Sequence, residues 1–174
     1  MNDTFDLRSG ETHIEVHKFR GGTILLATLF ALFVQAFIPV YMPKVATVDL
    51  PLLITIYFGL SRRNPSTGLL LGCVIGCLQD LLGKTPLGFY GIAKTLIGFL
   101  ASSIGGKLDT EHPAARFALT VVFFAIHQGI MVLVQRVLLA HAEPLFTVRL
   151  AIAALINAAV GVVLYFLLDR LRRS

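Results

Sequence analysis

The chain has 174 residues, 56% hydrophobic and only 14% charged, with a mean hydropathy of +0.79 and a formal net charge of +5. Soluble domains carry about 25% charged residues, so an ordinary soluble fold is excluded and a single-domain, all-α integral membrane protein is expected. The basic excess is read as a topology signal, because Lys and Arg collect in cytoplasmic loops; it gives no reason to expect a nucleic-acid partner.

Residues 1–20 are polar, with Arg8, Glu11, Glu15, Lys18 and Arg20 among them. They lack the short charged region and small-residue cleavage site of a signal peptide. A cytoplasmic tail is expected, or a docking segment for a cytoplasmic partner. Gly22 to Tyr41 then supplies about 20 mostly apolar residues, enough to span a bilayer. Val48 to Leu60 is shorter, a length that suits a re-entrant segment. Arg62 and Arg63 follow it, however, and would lie outside if it did not cross. It is therefore read as a short crossing helix. Gly68 to Leu82, Leu87 to Ile104, Phe117 to Leu139 and Val148 to Leu168 complete six spans. The membrane domain is placed at 21–169 and a basic cytoplasmic C-terminus at 170–174.

With both termini inside, the inner segments hold Arg8, Lys18, Arg20, Arg62, Arg63, Lys107, Arg116, Arg170, Arg172 and Arg173. The outer margins hold only Lys44, Lys84, Arg136 and Arg149. The imbalance supports a six-helix, N-in and C-in arrangement. Outer loops are short, with no room for an extracytoplasmic enzyme domain. There is no Trp, so Tyr41, Tyr57, Tyr90 and Tyr165 supply any aromatic belt.

Gly68, Gly72 and Gly76 recur every fourth residue on one face of the third helix. Such a stripe lets helix backbones approach closely, either within the chain or at a dimer or partner seam. Cys73 and Cys77 lack the companions of a zinc site, and no metal or cofactor is expected. Asp80 and Lys94 are the notable pair. A charge in lipid is costly unless it faces protein or a partner. They flank a turn, Gly83-Lys-Thr-Pro86-Leu-Gly88, at depths differing by roughly 5 Å, within reach of a lysine stem. Three readings stand: an ion pair locking the hairpin, a polar pocket for a ligand or partner, and a proton relay. His127, Gln128 and Asn157, midway along the last two helices, are expected to make interhelical hydrogen bonds. No nucleophile–base motif, metalloprotease motif or phosphate loop is present, and no enzymatic activity is expected.

The series Gly76-x-x-x-Asp80-x-x-Gly83-x-x-Pro86-Leu-Gly88-x-x-Gly91-x-x-Lys94, followed by Gly98-Phe-Leu-Ala101, resembles the rod shape-determining MreD family. The resemblance implies a non-catalytic, multi-pass protein of the bacterial inner membrane. It implies association with MreC, and action with the MreB filament and with RodA and PBP2 in cell elongation and lateral peptidoglycan synthesis; a homodimer is a further expectation. It also implies a fold similar to the substrate-binding subunits of energy-coupling-factor transporters. A vitamin-binding subunit of that kind is the alternative function, and Ala27 and Ala31 match the small-residue spacing such subunits use for docking.

Overall fold

The computed structural model describes residues 21–41, 47–62, 64–83, 85–107, 112–139 and 148–172. The proposed N-terminal tail, and Lys44, Arg63, Lys84 and Arg173 from the charge comparison, lie outside them. The described residues form six helices and no strand: α1 (Gly21–Tyr41), α2 (Leu50–Arg62), α3 (Pro65–Gly83), α4 (Phe89–Gly105), α5 (Pro113–Leu139) and α6 (Val148–Arg172). Three of them contain stretches long and apolar enough to cross a membrane, at Pro65–Gly83, Pro113–Val137 and Val148–Arg170. Gly22–Phe37, Leu50–Arg62 and Phe89–Gly105 are shorter apolar helical stretches.

Local chemistry explains where the helices start. Asn64 precedes α3, and its Oδ1 accepts from the amides of Ser66 and Thr67 at 3.1 and 3.4 Å, while Pro65 occupies the first turn, where its missing N–H costs nothing. His112 and Pro113 open α5 in the same way, with the Ala114 amide donating to Nδ1 of His112 at 3.3 Å. The last helix runs on through Arg170 to Arg172.

The short second helix is the centre of the molecule. Every residue from Pro51 to Leu60 is buried, and α2 packs against each of the other five helices. A helix that is apolar nearly all round belongs in a core, which accounts for its run of Leu, Ile, Tyr and Phe, interrupted by Thr55 and Gly59. Its 13 residues span roughly 20 Å. Its start is set deep: the Asp49 amide donates to Oδ1 of Asn157 at 2.9 Å, and Asn157 stands nine residues into α6, or roughly 14 Å from that helix's first residue. The residues immediately before α2, Thr47 to Asp49, therefore lie level with the middle of α6.

The tightest seam joins α3 to α4. A Cβ on Gly72 would collide with the backbone carbonyl of Lys94, and one on Gly76 would lie 2.7 Å from the Gly91 Cα. The face carrying Gly68, Gly72 and Gly76 is thus filled by a helix of the same chain. At the end of the bundle where α2 finishes, Asp169 accepts from the Tyr57 hydroxyl at 2.7 Å and pairs with Arg116 at 2.5 Å, tying α2, α5 and α6 together.

Overpacking a tight core costs about 1–3 kcal/mol. Gly72→Ala is therefore expected to lower the melting temperature in detergent. Gly129→Ala, at a mid-helix position where an added Cβ meets nothing within 4 Å, is expected to leave it unchanged or raise it. Circular-dichroism melts of the two variants check this.

Candidate functional site

Asp80 sits in the last turn of α3 and is 1% exposed. Its carboxylate is used entirely by the turn that follows. Oδ2 accepts from the amides of Gly88 at 2.9 Å and Gly91 at 3.1 Å, and Oδ1 accepts from the Tyr90 amide at 2.9 Å and the Thr85 hydroxyl at 2.8 Å. An anion at the first turn of a helix satisfies amides that have no intrahelical partner and meets the positive end of the helix dipole. The motif around it follows from this geometry. Gly83 ends α3, Gly88 adopts φ 95°, a conformation that favours glycine, and the Phe89 amide donates to the Pro86 carbonyl at 3.2 Å. Pro86 and Leu87 form the exposed tip of the turn, Leu87 at 70%.

Lys94 does not meet Asp80, and the expected Asp80–Lys94 ion pair is corrected here. The Lys94 side chain is fully buried, and its Nζ lies 2.6 Å from Oδ2 of Asp49. The physical reason lies in both partners. Backbone amides already occupy both oxygens of Asp80, while Lys94 faces the start of α2, where a second carboxylate waits.

Asp49 performs at α2 the service that Asp80 performs at α4. Its Oδ1 accepts from the Leu52 amide at 3.0 Å, capping the helix, and its Oδ2 takes the ammonium. Neighbouring helices hold the backbone around it. Asn157 of α6 accepts from the Asp49 amide and donates through Nδ2 to the carbonyls of Thr47 at 2.9 Å and Ala153 at 2.8 Å. Gln35 of α1 accepts from the Leu50 amide through Oε1 at 3.1 Å. Side chains of α1, α4 and α6 thus converge on one inserted helix start.

Tyr90 and His127 border this cluster. Nζ of Lys94 lies 5.2 Å from the centre of the Tyr90 ring, a cation–π distance. The His127 ring of α5 stacks on Tyr90 with centroids 6.3 Å apart and planes 12° apart. His127 is 2% exposed, and neither ring nitrogen finds a hydrogen-bond partner among the described residues. Of the three residues expected to bond between helices, Asn157 makes such bonds; His127 stacks instead, and Gln128 is half-buried.

Sequence reasoning missed Asp49 because it stands at the second position of the predicted Val48–Leu60 helix and passed as a boundary residue. A signal was present, nonetheless. Asp49 followed by Pro51 is a helix-start pattern, an N-cap acid with proline in the first turn. Asp169 was missed likewise, standing one residue past the predicted end of the last helix at Leu168.

Six helices and no strand among the described residues, three of the helices long and apolar enough to cross a membrane, define the class as a helical protein fitted to a membrane. The chain belongs to the MreD family, rod shape-determining protein MreD, whose family model matches residues 17–174. No curated protein and no solved structure gives a match.

Breaking a buried pair costs about 3–5 kcal/mol, because one charge is left uncompensated. Asp49→Ala and Lys94→Ala are each expected to lower stability by this order. The double variant should recover part of the loss, with a coupling of about 0.5–3 kcal/mol. A thermodynamic cycle on Asp80 and Lys94 should give a smaller coupling. Reversible unfolding in detergent measures both cycles; a larger coupling for Asp80 would contradict the pairing described here. Asp80→Ala should be destabilising by itself, since the amides of Gly88, Tyr90 and Gly91 lose their acceptor.

Proposed function

We propose that the protein is a non-catalytic scaffold of the bacterial cell-elongation machinery, a multi-pass protein of the inner membrane with six crossing helices and both termini in the cytoplasm. It binds MreC and works with MreB, RodA and PBP2 in controlling lateral peptidoglycan synthesis. The observation that carries this reading is the family match, which spans nearly the whole chain and supports a rod-shape-determining role.

The use made of the buried charges supports the scaffold part. Asp49, Lys94 and Asp80 are committed to helix starts, an arrangement suited to holding a rigid surface. Asp80 and Lys94 are buried, so they act on a partner indirectly, through the shape of the turn that Asp80 organises. What a partner meets there is Pro86 and Leu87 at the exposed tip.

Deletion of the gene in its bacterial host is expected to round the cells and to remove MreC from the elongation complex, read by microscopy and by co-purification from native membranes. If the purified protein instead carried a vitamin, and deletion reduced vitamin uptake with normal cell shape, the transporter-subunit reading would replace this one. Reporter fusions after Ser66, Lys84, Glu111 and Glu143 test the orientation. Periplasmic signals are expected at Lys84 and Glu143 only, and a periplasmic signal at Ser66 would overturn the crossing of α2.

A further inference from the structure

The backbone just before α2 is not helical, and it stands deep in the bundle. Asn157 of α6 holds it, accepting from the Asp49 amide and donating to the Thr47 carbonyl. Asn157 lies eight residues beyond Arg149, the charged residue at the start of α6, or roughly 12 Å along the helix. Gln35, which accepts from the Leu50 amide, lies six residues before the end of α1 at Tyr41, or roughly 9 Å from it. Both helices therefore continue well past Thr47 to Asp49 toward one end of the bundle. Half of a hydrocarbon core roughly 30 Å thick is about 15 Å, so these three residues sit far inside it.

Non-helical backbone at such depth is tolerated only where protein buries it or where it lines a water-filled cavity. Protein does not bury it completely. Thr47 is exposed, and the Asp49 side chain keeps 15% of its surface open. A carboxylate and a hydroxyl open to lipid would be costly. Beyond them the interior closes, because Val48, Pro51, Leu52 and Lys94 are buried. The opening thus ends at the carboxylate that holds Lys94. Beside this pair, His127 keeps both ring nitrogens without a partner among the described residues. Buried polar atoms of this kind are ordinarily satisfied by ordered water.

We propose that Thr47 and Asp49 line a water-filled vestibule, open at the end of the bundle where α1 ends and α6 begins. Through it, water and small hydrophilic solutes reach the carboxylate side of the Asp49–Lys94 pair, while the ammonium stays enclosed. The vestibule does not depend on the scaffold reading, nor on which end of the bundle faces the cytoplasm.

Cysteine accessibility of the full chain in sealed native membrane vesicles tests it. The probe is the membrane-impermeant cation ethyltrimethylammonium methanethiosulfonate, with N-ethylmaleimide as the membrane-permeant comparison. Modification is read site by site by peptide mass spectrometry, so Cys73 and Cys77 stay in place. Thr47→Cys is a mild change, because the side chain is exposed and the bond to Asn157 is made by the backbone. Leu155→Cys is the control at the same level, exposed on α6 two residues from Asn157. The probe attacks a thiolate, which forms in water and not in lipid, so Thr47→Cys should react at least about tenfold faster than Leu155→Cys. It should be reached from the same side of the membrane as Val148→Cys, at the exposed start of α6. Equal rates at positions 47 and 155, or access from the opposite side, would overturn the proposal. So would modification of Thr47→Cys by N-ethylmaleimide alone. Thr47 would then face lipid through the gap between α1 and α6, which do not pack together among the described residues, or lie beneath another protein.

Discussion

The ion pair between Asp49 and Lys94 is the constraint around which the bundle is arranged. A lysine with no exposed surface is tolerable only beside a compensating group, and Asp49 supplies it at 2.6 Å. The same carboxylate caps α2 with its other oxygen. One side chain therefore both begins the central helix and joins it to α4. Because α2 packs on all five other helices, the pairing fixes the position of the element against which the rest of the bundle is set.

The carboxylates of Asp49 and Asp80 solve one problem twice. A helix that starts inside a bundle leaves amides that water does not reach, and each orphaned amide is costly. Asp49 answers this at α2 and Asp80 at α4. Around α2, Asn157 and Gln35 supply the remaining acceptors and donors. Residues that seem exotic in an apolar sequence thus serve backbone hydrogen bonding. The close approach of α3 to α4 belongs to the same design: Gly72 and Gly76 leave room for the backbone of the segment from Tyr90 to Lys94, and so set the depth from which Lys94 reaches Asp49.

Much of the fold was legible in the sequence, for identifiable reasons. Apolar runs bounded by Pro, Gly and charged residues located all six helices to within a few residues, because hydropathy contrast is strong at membrane boundaries. The glycine stripe of α3 announced a close helix contact, and its partner proved to be the next helix in the chain. Asp80 and Lys94 stood out because charge is rare inside apolar segments. Their partners did not stand out. The ion pair joins residues 45 positions apart, and nothing in local spacing favours Asp49 over the nearer Asp80. The central placement of α2 was equally hidden, since a short apolar helix reads the same whether it is central or peripheral. What removed the ambiguity was tertiary: both oxygens of Asp80 were already taken by the turn from Thr85 to Gly91.

Hydrogen–deuterium exchange, in lipid nanodiscs, of the unmodified protein and of a Lys94→Met variant tests the central claim most directly. If the pair anchors the inserted start of α2, exchange should quicken over Thr47 to Leu53 in the variant, while the amides that Asp80 holds at the start of α4 keep their protection. Unchanged exchange over Thr47 to Leu53, in a variant that has nevertheless lost control of cell shape, would contradict the account and make Lys94 a recognition residue instead of a fastener.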